Sequence, residues 1–353
     1  MLPSSKLILI LPNKIKSANA VWIHPKERKI HPVNMEMTKE PRRVVLSGAS
    51  GLLGGALLQA LAARGDQPVQ LVRQFPDVQR SGEGDPGKPL LLAWNAAAES
   101  PVADPARLEG LKAAVHFSGA NISGRRWTRA YRREMSESRL VTTAALVRVL
   151  SRLRRPPEVL LAASAIGFYG DRGEEMLDEG TPAGDGFFPE LCQQWEAAAK
   201  PAMEAGIRVV HLRFGVVLSS KGGALAKMLP LFRLGLGGQL GSGRQWMSWI
   251  SLDDAMRAML FAMETPNLQG PVNLTAPNPV TNRDFTRALA RQLKRPAVAP
   301  VPAFALRLAL GQMADEALLA SARVFPGKLL SAGFQFEHPV LEQALAASLP
   351  PER

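Results

Sequence analysis

The sequence predicts an α/β fold, a doubly wound parallel sheet with a smaller C-terminal lobe, on three observations. Short apolar runs of strand length alternate with helical stretches from Arg42 to Phe214. The first of these strands passes directly into the turn Gly48-Ala-Ser-Gly51-Leu-Leu-Gly54 and then into a helix. The 353 residues, 46% hydrophobic and 21% charged, suffice for one large α/β domain with an appended lobe.

Taken in order, residues 1–41 are expected to form a poorly ordered basic tail. Their one apolar run, Leu7 to Leu11, is too short for a signal-peptide core or a membrane span. Met35 and Met37 stand just before the first strand as alternative starts, so residues 1–36 are expected to be dispensable. Val44 to Leu46 reads as a strand buried on both faces, and Leu57, Leu58 and Leu61 share one side of the helix that follows. Pro68 to Val72 is the second strand, residues 75–89 a surface loop, and Leu90 to Trp94 the third strand.

Ala113 to Phe117 is the fourth strand, followed by a helix from about Arg129 to Arg154 that Pro156-Pro157 closes. Glu158 to Ser164 and Ile207 to Phe214 are the fifth and sixth strands, with a helix from about Glu190 to Glu204 between them. Beyond Leu218 the rhythm changes. Gly222-Gly223 and the glycine-rich run Leu234 to Gly243 read as irregular lobe structure. Helices over Asp253–Glu264 and Asn282–Leu293, a short strand over Gly270–Asn273 and a helical end over Leu341–Ala347 complete the chain. The organisation is a nucleotide-binding domain over 42–220 and a mixed region over 221–353, a substrate lobe with helices and a strand that returns to the first domain.

The chemistry begins at the glycine turn, spaced G-x-x-G-x-x-G. Gly48 frees the backbone for a tight turn, Gly51 lets the main chain approach a pyrophosphate, and Gly54 lets the helix pack close to the sheet. Ser50, Gly51, Leu52, Leu53 and Gly54 surround the helix N-terminus, whose unpaired N–H groups face the anion. A dinucleotide is therefore expected. Arg73 ends the second strand, where an acidic residue would accept from a ribose 2′-hydroxyl and repel a 2′-phosphate; an arginine there favours NADP. Small residues after the fourth strand, Ser118-Gly119-Ala120-Asn121, allow close approach of a ligand.

Charge and composition exclude other classes. The net charge is +12, but residues 1–43 carry nine Lys/Arg against three Glu, half of the excess. No dense basic run interleaved with aromatics remains, so no nucleic-acid partner is expected; the cluster Arg125, Arg126, Arg129, Arg132 and Arg133 suits an anionic cofactor or substrate equally well. One cysteine and five scattered histidines give neither a disulfide framework nor metal-ligand spacing. A cytoplasmic protein with a small-molecule substrate and no membrane partner is expected.

Over about residues 42 to 348 the chain resembles the extended short-chain dehydrogenase/reductase superfamily, and within it the atypical epimerase-related family often labelled nucleoside-diphosphate-sugar epimerase or cell-division inhibitor. The segments that carry the resemblance are GASGLLG, HFSGANISGRRW, REMSESR, LCQQWEAAAK, the long run from Leu212 to Ile250, and VNLTAPNPVTNRDF. It implies a Rossmann-type fold and NADP, in agreement with Arg73. It also implies that Phe117, Ser118, Glu134, Arg139 and Val217 face the cofactor.

The resemblance breaks at the catalytic pair. Ordinary members use Tyr-x-x-x-Lys at the start of the helix after the fifth strand, where the lysine and cofactor lower the phenol pKa. The equivalent positions here hold Phe188 and Cys192, one without a proton and the other without a fixed positive charge. Ser164 at the strand end and Tyr169, the nearest phenol, are the candidate replacements; Asp171 and Glu174 are weaker ones. Cys192, His116 and His211 read as core residues, and Trp246 and Trp249 as pocket or core. Two functions stand open: an NADP-dependent oxidoreductase or epimerase acting on a small hydroxylated or nucleotide-linked substrate, and an NADPH-binding sensor that has lost the chemistry.

Overall fold

The computed structural model describes residues 42–73 and 89–349. Seven strands form one sheet: β1 (Arg43–Ser47), β2 (Gln67–Val72), β3 (Leu90–Ala93), β4 (Ala113–His116), β5 (Val159–Ala165), β6 (Arg208–Phe214) and β7 (Gly270–Leu274). Their order is β7-β6-β5-β4-β1-β2-β3, every neighbouring pair parallel. Chain direction across the sheet reverses between β1 and β4, the switch point where ligands sit in such folds. The doubly wound fold read from the sequence is thus the one observed.

Alternation along each strand divides the core. Val44 and Leu46 point to one face and join Leu57 and Leu61 of α1 (Leu52–Ala63) and Ala258, Met259 and Ala262 of α6 (Leu252–Glu264). Val45 points to the other, with Leu146 and Leu150 of α2 (Arg129–Leu150) and Ala202 of α4 (Lys200–Glu204). Each fully buried leucine contributes roughly 1.5–3 kcal/mol. Both faces are covered, which is why these strands are nearly continuous apolar runs.

Two boundaries differ from the sequence reading for local reasons. The helix expected over Glu190–Glu204 is two pieces, α3 (Phe187–Ala197) and α4, because Pro201 cannot donate into a continuous ladder. The stretch read as irregular after Leu218 contains α5 (Gly223–Arg233), which carries Pro230 inside it and buries Leu225, Leu229 and Phe232. Three short pairings lie outside the elements expected from the sequence: Val216–Leu218 with Trp249–Ser251, Trp246–Met247 with Val280–Thr281, and Met176–Leu177 with Arg323–Val324.

The C-terminal region contributes β7 and then α7 (Asn282–Gln292), α8 (Ala303–Leu310), α9 (Gly327–Ser331) and α10 (Leu341–Ser348). Leu341, Ala344 and Leu345 of α10 pack with Phe285 and Leu289 of α7 around Trp249. The fully buried Asp254 at the start of α6 accepts from the Glu337 and His338 N–H groups, both at 2.8 Å. The expected tail over 1–41 and nearly all of the loop expected over 75–89 lie outside the described residues. No described helix is long and apolar enough to cross a membrane.

Candidate functional site

Gly48 adopts φ +73°, and a Cβ there would lie 2.7 Å from the Phe117 carbonyl carbon, so the turn abuts the end of β4. A Cβ on Gly54 would sit 2.5 Å from the Gly48 oxygen, which makes glycine the condition for α1 to start where it does. Gly51 is different. It is exposed, and its nearest neighbour to a built Cβ is the Gly48 oxygen at 3.5 Å. Nothing in the chain itself forbids a side chain there. α1 has no side-chain cap and no acidic residue in its first turn, so its leading N–H groups keep their positive end toward solvent. Ser50 is exposed, and Leu52 and Leu53 are half-buried beside them.

Under the turn, Ser47 Oγ lies 2.6 Å from His116 Nδ1, and His116 Nε2 lies 3.2 Å from Thr142 Oγ1. The threonine hydroxyl donates to the Ser138 carbonyl, so the consistent tautomer has Nε2–H donating to Thr142 and Nδ1 accepting from Ser47. Burial lowers the His116 pKa to about 4 and keeps the imidazole neutral. This chain ties the ends of β1 and β4 to α2.

The loop after β4 is pinned from several sides. Ala120 N–H donates to Ser138 Oγ, and Lys227 Nζ donates to the Ser123 carbonyl at 2.7 Å. Thr128 caps α2, and Trp127 Nε1–H donates to Ile122 O at 2.6 Å. Arg139 is buried, with Nη2 donating to Ala120 O, Nη1 to Met135 O, and its guanidinium 4.9 Å from the Trp195 ring centroid. Its Nε has no partner, and burial lowers its pKa. A Cβ on Gly119 would lie 3.1 Å from the Arg139 Cγ, so Gly119 lets the loop run over this side chain. Arg139 therefore holds the loop backbone from below. Glu134 is half-exposed and pairs with Arg125 at 3.7 Å, not with Arg139. Phe117, Ser118 and Val217 are half-buried, and Arg73 is exposed at the end of β2. Gly222 and Gly223 approach the Leu52 side chain, bringing the segment after Leu218 beside the start of α1.

Where ordinary relatives of the fold would carry a proton-transfer pair, the structure has core. Phe188 packs against Gly167, where a Cβ would lie 2.5 Å from its ring, and edge-on to Trp127. Its N–H donates to Glu316 Oε2 at 2.7 Å. Cys192 is fully buried, and burial followed by the Glu196 charge pushes its thiol up to about 12.

Both candidate replacements lie in one buried hydrogen-bond network. Tyr169 is fully buried among Leu177, Val324 and their neighbours; its hydroxyl donates to Asn273 Oδ1 at 2.7 Å and accepts from Arg213 Nη1 at 3.0 Å. Burial raises its pKa, with Arg213 opposing. Ser164 is 3% exposed and donates to Glu196 Oε1 at 2.7 Å. Glu196 in turn takes Arg213 Nε and Nη2 at 2.8 and 2.9 Å, a bidentate pair under the sheet end. The network continues through Asn273 to Glu179, which accepts from the Asn273 and Lys328 N–H groups. Glu196 and Arg213 have no role in the sequence reading; the available signal is an arginine near the C-terminal end of a mostly buried strand and one carboxylate beside Trp195.

The weaker acids are also occupied. Asp171 Oδ1 accepts from Ser321 N–H, and Glu174 accepts from Trp246 Nε1–H at 2.6 Å. Trp249 is core, while Trp246 is half-buried with Arg323 over its ring. No group of His, Cys, Asp and Glu among the described residues could hold a metal ion.

Residues 44–274 match the family model described as NAD dependent epimerase/dehydratase family, and residues 301–348 match a domain of unknown function, DUF1731. The chain is 45% identical over 302 residues to Epimerase family protein MT2273 of Mycobacterium tuberculosis, covering 86% of this chain and 96% of that one. A crystal structure of human epimerase family protein SDR39U1 with NADPH is 33% identical, with TM-score 0.77, covering 87% of this chain and 98% of that one. A nucleoside-diphosphate sugar epimerase from Corynebacterium glutamicum is 34% identical, with TM-score 0.67, over 88% of this chain and 58% of that one.

Proposed function

Because the chain belongs to the NAD dependent epimerase/dehydratase family, we propose that it binds NADPH across the ends of β1 and β4 and retains no side-chain acid to pair with the nicotinamide. The observation that carries the reading is Gly51: an exposed, unobstructed glycine directly ahead of an uncapped helix N-terminus. A side chain is missing where the protein needs none to be missing. A pyrophosphate laid against that backbone accounts for it, and the NADPH-bound human relative supports it.

In this reading the N–H groups of Leu52, Leu53 and Gly54 hold the pyrophosphate, and Arg73 pairs with the 2′-phosphate. Phe117, Ser118 and Gly119 form the wall beside β4, and Val217 closes the side toward α5. Arg139 and Glu134 act by shaping and flanking the loop over 118–125. Bound NADPH supplies a hydride. The residues around its expected position supply no proton, since Ser164 and Tyr169 are tied into the Glu196–Arg213 network and Phe188 and Cys192 are apolar. The chain accordingly acts as an NADPH-responsive binding protein.

A second reading has one observation in its favour. Lys227 of α5 and Glu316 reach the loop and helix around the nicotinamide end directly, the arrangement a substrate cleft requires. An oxidoreductase of that kind would draw its proton from water or from the substrate. Calorimetry with NADPH, followed by NADPH oxidation against carbonyl compounds and nucleotide sugars, separates the two. Tight binding without turnover supports the binding protein, and turnover with any of them establishes the oxidoreductase.

A further inference from the structure

α5 is tied to both sides of the proposed cofactor site within its first turn. At the start of the helix, a Cβ on Gly223 would lie 3.5 Å from Leu52 Cδ2 and 3.6 Å from the Val217 oxygen. Leu52 opens α1, whose leading N–H groups meet the pyrophosphate in that site. One turn further on, Lys227 Nζ donates to the Ser123 carbonyl at 2.7 Å and to Ser123 Oγ at 2.8 Å. Ser123 belongs to the loop that leaves β4 past Phe117, Ser118 and Gly119. Gly223 and Lys227 are separated by about 6 Å of helix rise. That single turn joins the two walls between which NADPH is expected to lie.

The walls are packed, and the link between them is not. α5 buries Leu225, Leu229 and Phe232 in the cluster that holds Trp249 and Phe285. The loop is anchored by Ala120 N–H on Ser138 Oγ, by Trp127 Nε1–H on Ile122 O, and by Arg139 on Ala120 O. Between these pieces the Lys227 bridge is exposed, and among the described residues no other hydrogen bond joins α5 to the loop. The helix also lies between two glycines of positive φ, Gly223 and Gly235, both at +73°. Such positions absorb the backbone rotation of a rocking helix at little cost.

We propose that, with NADPH bound across the ends of β1 and β4, a reading on which this inference rests, Lys227 latches α5 over the cofactor. NADPH enters and leaves when the Lys227–Ser123 bridge opens and α5 rocks on its buried stripe. The latch joins protein to protein and not protein to cofactor. Its loss therefore speeds entry and release together and leaves the equilibrium affinity nearly as it was. Slow exchange of this kind suits a chain that answers to NADPH without consuming it.

Stopped-flow measurement of NADPH fluorescence on the full chain tests the latch. Lys227→Met keeps the apolar stem and removes the donors. It should raise the entry and release rates each roughly fivefold, what one solvent-exposed charge-assisted hydrogen bond contributes, with affinity by calorimetry unchanged. Lys227→Arg, which keeps a donor, should restore slow exchange. Lys200→Ala, on α4 and paired with Glu204 at 4.0 Å, should change neither rate. Cross-linking provides a second measurement that does not depend on weakening the contact. Ser123→Cys with Lys227→Cys, joined by a short bismaleimide after loading with NADPH, should trap the cofactor, while the unlinked variant should release it faster than the unmutated protein does. Cys192 is buried and away from the reagent. Unchanged rates in Lys227→Met, or free release from the linked chain, overturn the latch and leave the NADPH site standing. Weaker affinity with unchanged entry would make Lys227 a direct ligand of the cofactor and overturn the latch as well. Failure of the unmutated chain to bind NADPH would remove the site, and the latch with it.

Discussion

Replacing Gly51 by alanine separates the needs of the fold from those of the ligand. At φ −81° and ψ 171° the backbone suits any residue, and the added Cβ would meet nothing closer than 3.5 Å. Lost N-cap preference costs about 0.5–1 kcal/mol, and reduced freedom of the unfolded chain returns a similar amount. Stability should therefore stay within about 1 kcal/mol, a Tm change within roughly 4 °C. NADPH affinity should behave differently. The methyl group would occupy the approach of the pyrophosphate, and losing one or two charge-assisted bonds at roughly 1.5–3 kcal/mol each weakens binding ten- to a hundredfold or more. Gly54→Ala is the counterpart: its Cβ would lie 2.5 Å from backbone, so overpacking of roughly 1–3 kcal/mol should lower Tm along with affinity. Scanning calorimetry and NADPH titration of both variants provide the assay. If Gly51→Ala binds NADPH as the unmutated protein does, the pyrophosphate does not pass over this turn and the proposed site is wrong.

Three further outcomes are expected. Arg73→Ala should erase most of the preference for NADPH over NADH, a change of about ten- to a hundredfold; equal affinities in the unmutated protein would refute the role. Tyr169→Phe should leave NADPH affinity unchanged while costing roughly 1–3 kcal/mol in urea unfolding, because Arg213 and Asn273 each lose a buried partner; a silent variant would mean the network is not structural. His116, at about 4 when folded against 6.5 ordinarily, resists a proton that the unfolded chain accepts. Its contribution is full above pH 6.5 and declines as pH falls toward 4, by roughly 3 kcal/mol. Unfolding curves of His116→Asn that lose stability over this range as steeply as the parent would contradict that.

The glycine turn was legible in the sequence because its requirements are local: a positive φ at Gly48 and a backbone contact at Gly54 fall within seven residues. The strands were legible because both faces of the sheet are covered, leaving long apolar runs. α5 was hidden by Gly222, Gly223 and Pro230, residues that punctuate loops elsewhere. Tyr169 shows the deeper limit. Its place next to a strand end is readable locally, but the partners of its hydroxyl are Asn273, 104 residues away, and Arg213 from a neighbouring strand. Burial by partners so distant leaves no local pattern. Glu134 is similar, since helical periodicity marks its face but not which neighbour that face meets.

The return of the chain to the sheet at β7 has a consequence during synthesis. β6 is a largely buried strand that pairs with β5 on one side and β7 on the other, and β7 lies beyond the whole of α5 and α6. At 5–20 residues per second, the ribosome delivers Leu274 about 3–12 s after Phe214. For those seconds the backbone N–H and C=O groups along the outer side of β6 have no strand to meet, an open template for any other extended chain. A chaperone that acts on this nascent chain is expected to engage it in that interval, and a stalled chain ending before Gly270 should aggregate where one ending after Leu274 does not.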